Sequence, residues 1–365
     1  MKATIKGVRI SGMCVAVPDN IHKFEDDMKH FPFSEKSSLK LAKVMGFKEH
    51  RISDSQTTIC DFATYLLSYL SHKGYVCKDE IQALIFVSQS REHPIPGNSK
   101  VLHGMADLPK NIYCMDLYEN CTGFISGLYA ACNLIAASNM EKVLLVTAEA
   151  GAWRGNRKDR NTYPLRGDAA AITVVSKSDN LNDKIHFMFN NDGESRGALY
   201  VPAGGLRMPS NEETAKVCED EMGNFRSLND MHMDGTAVFH FVMEGAPPMI
   251  DEICEYAGVE KNEIDYHLTH QPNKFMLEKL ADLMEVPRER LFNNVVEYFG
   301  NTSCVTIPVA TTHNLGEKLI TNTYKACFSA FGAGLSLASA ITDLGNLEFC
   351  EMIEHPGSGM THYPH

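Results

Sequence analysis

The chain has 365 residues, 44% of them hydrophobic and 22% charged, which is ordinary for a globular protein and long enough for two domains or one duplicated unit. A net charge of −12 excludes a dominant basic surface, and with it a nucleic-acid binder, while no apolar run approaches the ~18 residues that cross a bilayer. Eleven cysteines at irregular spacing, with no C-x-x-C pair and no signal-peptide pattern at the first residues, point to free thiols in a reducing cytoplasm.

Thr4 to Val17 reads as β structure with breaks at Gly7 and Gly12, closed by Pro18-Asp-Asn20. Ile59 to Leu70 has apolar residues at helical spacing, and Ala83-Leu-Ile-Phe-Val87 is a continuous apolar run of the buried-strand kind. Asn111 to Leu117 is strand-like, and a helix rich in small residues follows Cys121. Further strands are expected from Lys142 to Thr147 and from Ala169 to Val175, the latter opened by Arg166-Gly-Asp168. A second series then repeats this order: a strand from Lys184 to Asn190, a long helix from Phe239 to Ala257, and a strand from Tyr266 to His270. A helix from Thr302 to Leu315 and strands from Ala326 to Ala330 and from Leu335 to Thr342 complete it.

Phe86 precedes Cys121 by 35 residues and His270 precedes Asn301 by 31. That match predicts an α/β protein of two similar halves, residues 1–178 and 179–365, divided in the polar stretch 176–183. Asn191 to Met233, rich in Gly, Pro, Asn, Asp and Glu, is long for a plain connection. The tail, 343–365, has loop composition from Glu348 onward. Its His355, His362 and His365 mimic a metal tract but read as a flexible end, and no metal is expected.

Cys121, in Asn120-Cys-Thr-Gly-Phe124, stands at the first turn of its helix, where the positive end of the macrodipole favours thiolate. Taken singly it reads as a core cysteine. His270, in Thr269-His-Gln-Pro-Asn273, reads singly as a structural histidine, and Asn301-Thr-Ser303 as a chance sequon. Together, followed by the glycine-rich Phe331-Gly-Ala-Gly334, they make a nucleophile, a titratable donor or base, and a neutral amide donor.

In this order the motifs resemble the thiolase-like condensing enzymes, and most closely the β-ketoacyl-acyl carrier protein synthase III family. The resemblance runs from Met1 to about Asp343 and includes Gly46-Phe-Lys-Glu-His-Arg-Ile52, Arg166-Gly-Asp-Ala-Ala170, Met233-Asp-Gly235 and Gly300-Asn-Thr-Ser303. It implies a five-layered αβαβα fold of two pseudo-symmetric halves in a homodimer. It also implies that Cys121 accepts the acyl group of a coenzyme A or carrier-protein thioester, with the oxyanion held by the N–H groups of Cys121 and of Ala333 or Gly334. Malonyl-acyl carrier protein enters next, its thioester oxygen bonded by His270 and Asn301 while CO2 leaves. No cofactor is implied beyond the coenzyme A or phosphopantetheine thioesters themselves.

Substrate contacts carry over less completely. The family's coenzyme A-binding arginine is Val44 here, with Lys43 adjacent, and Arg160 matches the second basic position. Ile95 stands where the family has an aromatic dimer gate, implying room for a bulkier acyl chain beside Phe331, and the 191–233 segment is expected over the tunnel. Lys274 and Lys279 are candidate docking residues for an acidic carrier protein. A hydroxymethylglutaryl-type synthase would need a Glu where Ser90 stands, with Glu92 two places on, and a thiolase would need a second cysteine near Gly334. Acyl transfer to an alcohol or amine, and a non-catalytic subunit of a biosynthetic complex, remain as alternatives.

Overall fold

Gly7, at φ +69°, turns the chain out of one sheet and into another. In the computed structural model, which describes residues 1–364, β1 (Lys2–Lys6) and β2 (Val8–Pro18) therefore belong to different sheets. The break expected at Gly12 is corrected: that residue lies within β2 at a bulge, where an added Cβ would run into the Phe349 ring.

The other sheet strands follow in order: β3 (Ala83–Ser88), β4 (Tyr113–Tyr118), β5 (Lys142–Glu149), β6 (Ala169–Lys177) and β7 (Lys184–Asn191). After them come β8 (Tyr266–Thr269), β9 (Thr323–Gly332), β10 (Ser336–Gly345) and β11 (Phe349–His355). One sheet runs β11-β2-β6-β5-β3-β4 and the other β1-β7-β10-β9-β8. Apart from β1 and β11 the two match strand for strand: β2 with β7, β6 with β10, β5 with β9 and β3 with β8, each with the same parallel or antiparallel pairing. Among the described residues no counterpart of β4 forms.

Each half also lends a strand to the other. β1 pairs antiparallel with β7, and β11 pairs parallel with β2. The loop expected from Glu348 onward is thus corrected to a strand whose Phe349 and Cys350 are buried. His355 is buried too, with Nε2 against the Met360 carbonyl at 2.7 Å and Nδ1 accepting from the Gly357 N–H, so it ties down the tail. His365 lies outside the described residues.

Five layers result. On the outer face of the first sheet lie α1 (Ile59–His72) and α2 (Asn98–Met105), and on the outer face of the second α4 (Gly235–Ala257) and α5 (Lys274–Met284). The central layer holds α3 (Gly123–Ala136) and α6 (Thr306–Asn314). The small residues of α3 serve its close approach: a Cβ on Gly127 would meet Leu145 Cδ1 at 2.5 Å, and one on Gly123 would meet Val87 Cγ1 at 2.7 Å. Phe124 of α3 stands edge-on to Phe328 of β9, centroids 5.5 Å apart, joining the halves through one dry core. Burying one such ring stabilises the fold by about 2–3 kcal/mol.

Candidate active site

Three chain breaks meet in the central layer. Cys121 lies between β4 and the start of α3, His270 just past β8, and Asn301 between a short helix (Val295–Phe299) and α6. The Arg166-Gly-Asp168 turn holds the asparagine in place. The Asn301 N–H donates to the Leu165 carbonyl at 2.6 Å, and the Gly167 N–H to the Asn301 carbonyl at 3.2 Å. A Cβ on Gly167 would collide with the Phe299 carbonyl, and Gly300 sits at φ +72°, so both glycines are required by the approach. Asp168 anchors this turn by accepting from the Ser53 N–H and hydroxyl and from the Ala152 N–H.

Side-chain hydrogen bonds orient the pair. Asn301 Oδ1 accepts the Ser303 N–H at 2.9 Å, which leaves its NH2 unengaged among the described residues. His270 is buried, with Nδ1 2.7 Å from the Thr306 hydroxyl, so Nε2 is the nitrogen left for another partner. The Phe331 ring stands edge-on to the imidazole at 5.7 Å. Burial drives the His270 pKa down to about 3, so the ring is neutral at physiological pH.

Cys121 departs from expectation. Its helix begins at Gly123, with the sulfur at the N-terminal end, but burial outweighs the dipole and raises the thiol to about 11. The Ser303 hydroxyl and the Ala333 N–H face the sulfur and pull the other way without prevailing; the hydroxyl makes no well-formed hydrogen bond. The resting residue is therefore the thiol. Gly332 makes this proximity possible, since a Cβ there would fall 2.6 Å from Sγ. Of the two oxyanion candidates in the glycine-rich turn, Ala333 is the one that faces Cys121; Gly334 folds back on Ser336. The Cys121 N–H itself is occupied, at 2.8 Å, by Asn120 Oδ1.

The motifs did not expose Glu149. No acid stands at Ser90, but Glu149 at the end of β5 accepts from the Ser90 hydroxyl at 3.1 Å and the Gln89 N–H at 3.0 Å, with the Cys304 sulfur 3.6 Å away. Glu92, by contrast, reaches the Cys60 N–H at the start of α1. Burial raises Glu149 from 4.5 to about 7. An unfolded chain loses this proton near 4.5 whereas the fold keeps it to about 7, so stability falls as pH rises through that window, by at most ~3 kcal/mol. Glu149→Gln should therefore stabilise the protein by ~1–3 kcal/mol at pH 8 and little at pH 5, read by urea unfolding at both. An equal effect at the two pH values would refute this account.

The basic candidates fall apart into different roles. Arg160 stacks on Phe33, guanidinium carbon 3.6 Å from the ring centroid, and donates to the Ser37 hydroxyl at 2.9 Å. Lys43 is exposed on the last turn of that same helix (Glu35–Met45), beside exposed Val44. The 191–233 segment closes on itself through two short ladders; the second meets this face, with Arg226 paired to Asp159 at 3.4 Å and Lys158 over the Phe225 ring, while Leu199 and Met233 of the first pack on the core of the second half. Lys274 pairs with Glu297 at 2.6 Å against Gly46 and is half-buried, so its charge is already met within the chain. Lys279 is exposed, 3.9 Å from Asp282. Ile95, between β3 and α2, is 85% exposed within one chain.

Among the described residues one group, His22, Asp27 and His50, has metal-ligand reach. Both His50 nitrogens are engaged, by Asp27 at 2.8 Å and the Arg166 carbonyl at 2.5 Å, so this group serves as a brace beside the Asn301 turn. No helix of the described residues is long and apolar enough to cross a membrane.

Comparison with known proteins places this geometry. The family profile described as 3-oxoacyl-[acyl-carrier-protein (ACP)] synthase III matches residues 115–193, and its C-terminal counterpart matches residues 254–344. The putative 3-oxoacyl-[acyl-carrier-protein] synthase 3 of Campylobacter jejuni is 29% identical over 95% of this chain and 97% of its own. The β-ketoacyl-[acyl-carrier-protein] synthase III of a Roseiflexus species is 30% identical over 72% of this chain and 76% of its own. The crystal structure of a 3-oxoacyl-(acyl-carrier protein) synthase from Burkholderia xenovorans superposes with a TM-score of 0.89, at 31% identity, over 97% of this chain and 99% of that one. Matched in sequence across both halves and in structure over nearly its whole length, the chain belongs to the β-ketoacyl-[acyl-carrier-protein] synthase III family of thiolase-fold, acyl-transferring condensing enzymes.

Proposed function

We propose that the protein joins an acyl group carried on Cys121 to malonyl-acyl carrier protein, with loss of CO2, giving a β-ketoacyl thioester. The observation that carries this reading is the orientation of the two donors. With Asn301 Oδ1 held by Ser303 and His270 Nδ1 held by Thr306, an amide NH2 and an imidazole Nε2 are left for one incoming oxygen.

In the first half-reaction the Cys121 sulfur attacks an acyl-coenzyme A or acyl-carrier protein carbonyl; the thiol proton leaves with the departing thiol. The Ala333 N–H, facing the sulfur, is the oxyanion donor already in place, and the Cys121 N–H is the second. In the second, the malonyl thioester oxygen takes hydrogen bonds from Asn301 Nδ2 and from His270 Nε2–H, the tautomer that forms once the Thr306 hydroxyl turns from the Ser303 carbonyl, 2.9 Å away, to donate to Nδ1. Loss of CO2 leaves an enolate, whose carbon attacks the acyl-Cys121 carbonyl and forms the C–C bond; collapse breaks the C–S bond and releases the Cys121 thiolate, which takes up one proton. The chemistry uses no resident cofactor. Arg160 and Lys43 meet the coenzyme A end, Lys279 a carrier protein, and in a homodimer Ile95 of one subunit closes the acyl pocket of the other beside Phe331.

Acyl transfer to an alcohol or amine uses Cys121 and His270 but leaves the free amide of Asn301 without a task, so condensation is the better account. Incubation with a series of acyl-coenzyme A and acyl-carrier protein thioesters should give an acyl mass adduct on Cys121. Malonyl-acyl carrier protein should then discharge it with CO2 and β-keto product. Discharge to an added alcohol or amine without CO2 would favour the transferase, and no adduct at any chain length would favour a non-catalytic subunit.

A further inference from the structure

A hydrogen bond at the nucleophile runs against the oxyanion hole that the reaction needs. The Cys121 N–H is one of the donors that face the sulfur, and Asn120 Oδ1 already accepts from it at 2.8 Å. A backbone N–H donates, so the side-chain atom opposite it must be the amide oxygen, and no flip of the Asn120 amide can be the resting arrangement. That oxygen lies 3.7 Å from where a Gly332 Cβ would stand, on the same side as the sulfur, in the gap that Gly332 keeps open beside Cys121. An acyl oxyanion bound to the same N–H would meet a second negative oxygen where it needs a donor.

We propose that Asn120 is a latch on the oxyanion hole: its carbonyl caps the Cys121 N–H in the resting enzyme and must swing away before Cys121 is acylated. This rests on the acyl-transfer reading of Cys121. Asn120 is a positioning residue in that role, acting through the Cys121 N–H. The hold is light. Asn120 is half-buried, and its NH2 bonds nothing among the described residues, so one neutral hydrogen bond keeps the latch shut. Opening it then costs about fivefold in acylation rate. The latch leaves untouched the His270 and Asn301 donors, which stand on other breaks of the chain. It therefore gates acyl loading and not decarboxylation.

Two rates separate the latch from a structural role. Acyl loading is followed by quenched mass spectrometry, using whichever acyl-coenzyme A of a chain-length series loads the native enzyme fastest. Decarboxylation is followed as CO2 from malonyl-acyl carrier protein. Asn120→Ala and Asn120→Ser should load Cys121 about fivefold faster than the native chain, with CO2 release from malonyl alone unmoved. Asn120→Asp should load at least tenfold slower, because a carboxylate holds the N–H more tightly and repels the oxyanion. Loading by either neutral variant at the native rate or slower, with the native enzyme forming the adduct, overturns the latch while sparing the acyl-transfer reading. A native enzyme that takes no acyl group from any thioester overturns both.

Discussion

Replacing Cys121 by alanine abolishes acyl-enzyme formation and condensation, while decarboxylation of malonyl-acyl carrier protein continues. The two half-reactions use different atoms. Acyl transfer needs the sulfur, facing the Ala333 N–H and Ser303, whereas CO2 loss needs only donors to the malonyl thioester oxygen, and these stand on His270 and Asn301. Without the nucleophile no covalent intermediate exists, so condensation falls to background, a loss far beyond that of a single hydrogen bond. The check is a mass adduct absent from Cys121→Ala together with CO2 release retained; an adduct elsewhere in that variant would remove Cys121 from the mechanism. The ionisation of the thiol carries its own consequence. With the pKa raised to about 11, alkylation of Cys121 by iodoacetamide should keep climbing from pH 7 to pH 10. A plateau below pH 8 would mean a resting thiolate.

Most of the fold was legible because both halves carry the same alternation of buried strands and helices, and sheet order follows from that repetition. What escaped were the two strands that cross between halves. β1 and β2 are one β-rich stretch in the sequence, and nothing in Thr4 to Val17 says that the turn at Gly7 changes sheets. β11 is short and mixes Glu351 and Glu354 among its apolar residues, because Tyr69 and Tyr75 hydroxyls meet Glu351 from the outer layer and Arg51 meets Glu354. Its period is therefore disguised by partners distant in the chain. At the site, Cys121, His270 and Asn301 stand in recognisable motifs, but their environment does not. The rise of the thiol pKa comes from burial by packed neighbours, and Glu149 reaches Ser90 from a different strand. Lys274 looks like a solvated helix residue until Glu297, in another segment, is folded against it. Asn120 shows the reverse: adjacent in sequence to the nucleophile, it carries meaning only once its side chain is seen on the Cys121 N–H.

His270→Ala and Asn301→Ala should each lower decarboxylation by ~10²–10³, and the double variant should lose far less than the product of the two. Both side chains are fixed from behind, by Thr306 and by the Ser303 N–H, and under the proposed mechanism both act on the same developing negative charge. Removing one lets the oxygen recentre or admits water, so the second loss costs less. Independent effects multiplying in full would show that the two donors serve different steps. The pH profile distinguishes the form of the histidine. A pKa near 3 keeps His270 neutral, so decarboxylation should show no inflection near 6.5, and one there would require an imidazolium. Stability carries the same signature with its sign fixed. The unfolded chain takes up this proton near 6.5 and the fold resists until about 3, so the native protein loses stability as pH falls through that window, and His270→Ala removes part of that loss. Activity and acid stability thus read the same buried imidazole in opposite ways: its depressed pKa keeps a neutral donor available at low pH while making the fold that holds it easier to unfold there.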